Sequence, residues 1–299
     1  MKRSLSLFLF MLCCLSCAHA DSKELPIVVV IPSYNNLEWY KRNLDSLLVQ
    51  DYTNYRVLYV DDCSSDGTAQ AVEKYLKKLG VTFNTILFDE RNFESHEEAT
   101  AAFSKAVNEK KSPFTLVKNI HRSGALANLY RMIHSCKPEE IIATLDGDDM
   151  LYHDQVLRKL DAVYQQEDVW FTHGCLIEYP WGHVSWSEPV KPEIIASRSF
   201  RSVKCPSHMR TFYTWIFKKI AVEDFLYEGK FYPMAWDMAI MFPLLEMAGE
   251  RHAYIEDVNY VYNMANHMND NKVDPSLQNL LDKVIRGKPS YQRLERSEL

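Results

Sequence analysis

Three carboxylates and a glycine, Asp146-Gly147-Asp148-Asp149, follow directly on the apolar run Ile141-Ile142-Ala143-Thr144-Leu145. Side chains two apart on extended backbone point the same way, so Asp146 and Asp148 can converge on one ligand. Carboxylates this close repel one another unless a positive charge sits among them, and oxygen donors select a hard divalent cation. Gly147 permits a tight turn and a close backbone approach. The same residues also suit a solvated acidic turn that caps the next helix. Two other polar clusters end apolar runs in the same manner. Pro32-Ser33-Tyr34-Asn35-Asn36 follows residues 27–31, and Asp61-Asp62-Cys63-Ser64-Ser65-Asp66-Gly67-Thr68 follows residues 55–60. Arg122-Ser123-Gly124 precedes a helical stretch, where a positive charge and backbone donors suit a phosphate. Asp237 opens another helix after the aromatic stretch Phe231-Tyr232, and as a helix N-cap it is chemically sensible.

Elements that would position these residues alternate along the first half. Runs at 27–31, 55–60, 81–87, 114–119 and 141–145 read as buried parallel strands. Amphipathic helices lie between them, the first with Leu37, Tyr40, Leu44, Leu47 and Leu48 on one face. Asp66 is placed to cap the second. This β-α-β order implies right-handed crossovers and a doubly wound sheet with ligands at the carboxyl ends of its strands. Residues 88–112 break the pattern. They read as a solvated helix over 97–107, or as an insertion that contacts a partner or an acceptor. From 152 onwards the chain is richer in aromatics and less regular. A helix is expected at 153–165, strands at 169–173 and 175–186 with a turn at Pro180-Trp181-Gly182, a helix at 237–248 and short strands at 254–262. The polar stretch 266–299 reads as a tail with one helix at 276–285.

The chain has 299 residues, 47% of them hydrophobic, which is ample for one sizeable core. A formal charge of −6 speaks against non-specific nucleic-acid binding. Residues 1–20 read as a cleaved export signal, with Lys2 and Arg3, a short apolar stretch and Ala18-His19-Ala20 before Asp21. An uncleaved anchor is the alternative, and membrane association follows only in that case. Cys63, Cys136, Cys175 and Cys205 lie beyond that segment without C-x-x-C spacing. A Cys175–Cys205 disulfide is permitted outside the cytosol.

Val-Val-Ile-Pro-Ser-Tyr-Asn at 29–35, Tyr-Val-Asp-Asp-Cys-Ser-Ser-Asp-Gly-Thr at 59–68 and Leu-Asp-Gly-Asp-Asp at 145–149 occur in that order. With Arg-Ser-Gly-Ala-Leu-Ala-Asn at 122–128 and Trp-Asp-Met-Ala-Ile-Met-Phe-Pro-Leu-Leu-Glu at 236–246, the chain resembles glycosyltransferase family 2 over residues 26–265. The resemblance implies an α/β GT-A fold, with a Rossmann-like, mostly parallel sheet at 21–151 and a smaller mixed acceptor half at 152–265. It implies a metal-dependent, inverting transfer from a nucleotide sugar, UDP-linked by preference, to a hydroxyl on a carbohydrate, lipid or protein. Pro32, Tyr34, Asn35, Asp61 and Asp62 would then hold the base and ribose, and Arg122 the diphosphate. Asp146 would serve ribose or metal, Asp148 would bind Mn²⁺ or Mg²⁺ directly, and His267 would be the third ligand. Asp237 would be the catalytic base, with Trp236, Phe231 and Tyr232 as an apolar wall that raises its basicity. Where related proteins often carry an acidic neighbour, this chain has Trp236. Export would place the enzyme in a secretory lumen, a periplasm or outside the cell. Three other readings use parts of the same pattern: a non-catalytic sugar- or nucleotide-binding protein on this fold, a nucleotidyltransferase and a carboxylate-pair hydrolase. Nucleotidyltransferases usually need a glycine-rich basic loop near the first strand, which Pro32-Ser33-Tyr34-Asn35 does not supply.

Overall fold

The computed structural model describes residues 23–295 apart from Glu167 and Trp186, with the side chains of Asp270 and Asn271 also left aside. Residues 1–20, expected to be an export signal, lie outside the described residues. No helix among the described residues is long and apolar enough to cross a membrane.

The first half runs β1 (Ile27–Ser33), α1 (Tyr40–Leu48), β2 (Tyr55–Asp61), α2 (Thr68–Lys78), β3 (Phe83–Phe88), α3 (His96–Glu109), β4 (Phe114–Asn119), α4 (Ala125–His134) and β5 (Ile141–Thr144). β1 is buried along its whole length. Its period-two alternation explains why. Val28 and Val30 enter one core, with α3 and α4, while Ile27, Val29 and Ile31 enter the other, with α1 and α2. β1 pairs in parallel with β2 on one side and β5 on the other, so the chain changes direction across the sheet beside β1. Ligands gather at such a point.

The second half contains β6 (Met150–Leu151), α5 (Val156–Tyr164), β7 (Phe171–Tyr179), β8 (His183–Val184), α6 (Pro192–Ser197), β9 (Thr211–Tyr213), α7 (Thr214–Phe217), β10 (Leu226–Tyr227), β11 (Lys230–Phe231), α8 (Trp236–Ala248), β12 (His252–Asn263), α9 (Asp270–Val273) and α10 (Pro275–Arg286). The main sheet has the order β3-β4-β2-β1-β5-β9-β7-β12-β6, with β8 beside β7. From β3 to β5 it is parallel. β9 runs against both of its neighbours, and β12 lies parallel to β7 and antiparallel to β6. A parallel half with a smaller mixed portion is therefore the observed architecture.

Several boundaries differ from the sequence expectation, each for a packing reason. The strand expected at 169–173 and the first part of that expected at 175–186 are one strand, β7, which passes through Gly174, and the expected turn at 180–182 leads into β8. A Cβ on Gly174 would lie 2.9 Å from the carbonyl oxygen of Ile255 on β12, so that glycine marks a close approach rather than a break. The short strands of 254–262 are one strand, β12, with register shifts between Ile255 and Tyr260. Residues 88–112 are not merely solvated: α3 buries Ala99, Phe103 and Val107 in the core. Within the polar stretch, α10 packs on α8, burying Leu281 and Ile285. Behind it, the Arg201 guanidinium meets the fully buried Glu246 carboxylate of α8 with two hydrogen bonds, 2.6 and 2.9 Å. Cys175 and Cys205 are both free thiols, so the permitted disulfide is not formed. Cys175 neighbours Tyr254 of β12, whereas Cys205 lies near Arg210 and Asp237.

Candidate active site

The turn after β5 is assembled from several directions. The amides of Leu145 and Gly147 donate to the carbonyls of Val30 and Pro32, each at 3.1 Å, and carry the β1–β5 ladder past the strand end. A Cβ on Gly147 would meet Asn36 Nδ2 at 2.6 Å and Ser33 Oγ at 2.7 Å, so only glycine passes. From the core side of α1, Asn43 Nδ2 donates to the carbonyls of both Asp146 and Asp149, at 2.9 Å each. From β12, Tyr260 Oη donates to Asp149 Oδ2 at 2.7 Å and accepts from the Asp146 amide at 3.1 Å. The Asn263 amide donates to Asp149 Oδ1 at 2.6 Å. Asp149 is therefore spent on structure. Burial, and then the Asp148 and Asp146 charges, push its carboxyl well above the usual range. Asp148 is also raised by burial, against the hydrogen bond that Asn266 Nδ2 gives its Oδ2 at 2.7 Å.

Beside this turn opens a cavity of about 610 Å³ at the carboxyl ends of β1, β2 and β5. Pro32, Tyr34, Asp62, Arg122, Asp146, Asp148 and Asp237 all line it. Arg122 lies with its guanidinium carbon 4.0 Å from the Tyr34 ring centroid, a cation–π contact that fixes both at one rim. Asp62 locks the loop below them. Its Oδ1 accepts from Asn119 Nδ2 at 2.8 Å and the Ser123 amide at 2.9 Å, and its Oδ2 from the Gly124 amide at 2.8 Å. Those two amides are thus taken, and the start of α4 presents Arg122 instead. Asp62 Oδ2 keeps a lone pair for one further donor. Asn35 and Asp61 stand behind the wall. Asn35 adopts a left-handed φ of 52°, and its Oδ1 accepts from the Ser65 amide at 2.9 Å. Asp61 Oδ2 accepts from the Ser64 amide at 3.0 Å, and burial raises its carboxyl. Asp66 accepts from the Leu37 amide and from the Thr68 amide, each at 2.9 Å, tying the first loop to the start of α2.

His267 is exposed on the turn after β12 and is not among the described residues of the cavity wall, although Asn266 and Met268 are. The imidazole brought to the carboxylates is that of His208. Asp146, Asp149 and His208 each place one ligand atom within 4.8 Å of the others. His208 stacks on Tyr260 with ring centroids 4.3 Å apart. Burial and the adjacent Arg210 push it well below the usual histidine range, so it is a neutral acceptor. Asp149 is absent from the cavity wall and already bonded on both oxygens, whereas Asp146 and His208 line the cavity, with Asp148, Asp62 and Asp237 also on its wall. Two carboxylates and one imidazole fit a hard divalent cation.

Asp237 lies in the first turn of α8, directly after Trp236. Its Oδ2 accepts from Arg210 Nη2 at 2.8 Å, so its companion is a buried guanidinium and not an apolar wall alone. Arg210, His208, Asn43 and Tyr260 were not among the residues that the sequence singles out. The available signal was a polar residue on the apolar face of α1, Asn43, and two polar residues directly before a strand, His208 and Arg210.

Residues 28–93 match the family described as "Glycosyl transferase family 2". The chain is 46% identical over 55 residues to the poly(ribitol-phosphate) beta-N-acetylglucosaminyltransferase TarS of Staphylococcus aureus, 18% of this chain and 10% of that protein. It is 32% identical over 68 residues to a protein of Bacillus subtilis named for teichuronic acid biosynthesis, the glycosyltransferase TuaG, 22% of this chain and 27% of that protein. The chain thus spans well under half the length of these curated relatives. The crystal structure of S. aureus TarS 1-349 in complex with UDP-GlcNAc superposes with a TM-score of 0.54 at 16% identity, over 87% of this chain and 65% of that one. GalNAc-T7 with UDP, GalNAc and Mn²⁺ gives 0.51 at 12% identity, over 81% and 44%. The family 2 resemblance is borne out for the segment carrying β1, β2 and β3, and the fold is the GT-A glycosyltransferase fold.

Proposed function

We propose that the chain is a metal-dependent, inverting glycosyltransferase that moves a sugar from a UDP-linked donor to an acceptor hydroxyl. The observation that carries this reading is the single cavity in which Tyr34, Asp62, Arg122, Asp146, Asp148 and Asp237, drawn from separate segments of the chain, face one another. The TarS complex with UDP-GlcNAc and the GalNAc-T7 complex with UDP and Mn²⁺ share the fold and support the donor class and the cofactor.

In this reading Tyr34 and Pro32 border the base, and Asp62 Oδ2 accepts its N–H. Arg122 bears on the diphosphate. Asp146, Asp148 and His208 would hold Mn²⁺ or Mg²⁺, which supplies charge neutralisation for the departing nucleoside diphosphate. Asp237 takes the proton of the acceptor hydroxyl. The acceptor oxygen bonds to the anomeric carbon from the face opposite the diphosphate. The bond between that carbon and the phosphate oxygen breaks, and its electron pair leaves with UDP. The acceptor belongs to the carbohydrate, lipid or protein hydroxyls. Export rests on residues 1–20 alone, and the N-terminal sequence of the secreted protein tests it.

The test is a screen of UDP-, GDP- and CMP-sugars with Mn²⁺ or Mg²⁺, read as nucleotide release with and without acceptors. UDP release is expected, and Asp237→Asn is expected to lower it by about 10²- to 10⁴-fold with UDP binding retained. No release from any donor, or wild-type transfer by Asp237→Asn, would contradict the reading.

A further inference from the structure

Arg210 takes no part in the steps above, yet it joins the two halves of the site. It is a buried arginine immediately before β9. Its carbonyl accepts from both the amide and the Oγ1 of Thr144, at 3.1 Å each. Thr144 is the last residue of β5 and stands two residues before Asp146. From the same residue the guanidinium reaches the other way. Nη2 donates to Asp237 Oδ2 at 2.8 Å, and Nε to the Pro206 carbonyl at 3.3 Å. Nη1 lies 3.4 Å from His208 Nδ1. One residue therefore joins the carboxylate-bearing strand, through its backbone carbonyl, to the first turn of α8, through its guanidinium.

Asp237 needs such a strut. The turn before it contains Ala235 with φ 53°, a left-handed backbone that alanine rarely adopts, and α8 has no side-chain cap at its start. An aspartate in a first helical turn tends to fold back on the orphan amides of its own helix. Here Oδ2 is drawn to Arg210 instead, and Oδ1 takes no hydrogen bond among the described residues while Asp237 lines the cavity.

We infer that Arg210 is the positioning residue of the transfer: it fixes Asp237 Oδ2 so that Oδ1 is presented to the acceptor hydroxyl. The inference rests on the reading of Asp237 as the base. A guanidinium in a rigid fork can hold a carboxylate in one orientation, which an ammonium does less well.

The experiment combines kinetics and crystallography of Arg210→Met and Arg210→Lys, with the melting temperature of each recorded. Arg210→Met is expected to lower kcat about 100-fold, the scale of a misplaced reacting group, with the donor KM within about threefold. Arg210→Lys keeps the charge and is expected to recover part of that loss, about tenfold, since it lacks the fork. Crystals of Arg210→Met are expected to show Asp237 in more than one side-chain orientation. Wild-type kcat in Arg210→Met, or a donor KM that rises in step with the loss of rate, overturns the inference, the second by placing Arg210 on the diphosphate. So does an Asp237 that keeps its single orientation without Arg210. If the wild-type protein transfers no sugar at all, the proposed function fails, and the crystallographic comparison still decides the role of Arg210.

Discussion

At the scale of single residues, the acidic turn depends on what is missing from it as much as on its carboxylates. Gly147 packs where a Cβ would fall 2.6 to 2.7 Å from Asn36 and Ser33, both buried. Neither neighbour can yield easily, since Ser33 Oγ also accepts from Tyr59 Oη at 2.8 Å. Gly147→Ala is expected to cost about 1 to 3 kcal/mol, the range for overpacking a filled interior. Donor binding should weaken with it, because Asp146 and Asp148 flank the displaced atom. Urea unfolding and UDP titration of the variant check both effects. A stability loss without any change in UDP affinity would separate Gly147 from the site.

At the scale of elements, the helices are held by charge pairs that differ in kind. Glu73 of α2 faces Lys118 of β4 and Lys77 of its own helix, and these hydrogen bonds hold its carboxyl at about 2 against an ordinary 4.5. Its folded value is depressed, so its contribution is present above pH 4.5 and is lost as the pH falls towards 2. The pair is partly exposed, so Glu73→Gln should cost no more than about 1 kcal/mol at pH 7. Melting curves of the two proteins should converge as the pH is lowered through that window. Glu246 of α8 is fully buried against Arg201 and also accepts from the Tyr291 amide at 2.9 Å. Glu246→Ala would leave Arg201 without its charge partner at a cost of about 3 to 5 kcal/mol, measurable by denaturant unfolding. The unbroken apolar run of β1 and the acids that follow β2 and β5 were legible because each reports a local rule: burial on both faces, or chemistry at a strand end. Arg210 was not, because its meaning lies in Asp237, 27 residues later. The packing of α10 was not, because the stripe of Leu277, Leu281, Val284 and Ile285 says that one face of the helix is buried but not that α8, upstream, covers it. His267 was the candidate that the family resemblance implied as a late histidine ligand, whereas the fold brings His208, next to β9, to the carboxylates.

At the scale of the whole molecule, one parallel sheet and its mixed extension divide the labour. The parallel half ends in loops that Asp62, Asn35 and Asp66 lock into a fixed rim. The mixed half brings His208, Arg210 and Asp237 against that rim. In the proposed reading, transfer needs a cation at the junction, so that a diphosphate can leave from a cavity already rich in carboxylates. Calorimetric titration of UDP into the wild-type protein and into Asp148→Ala, with and without Mn²⁺, tests this most directly. The wild type is expected to bind UDP more tightly by about tenfold or more when Mn²⁺ is present, and Asp148→Ala is expected to lose that gain. Equal affinity of the two proteins for UDP in the presence of Mn²⁺, or no binding of UDP by the wild type, would contradict the account.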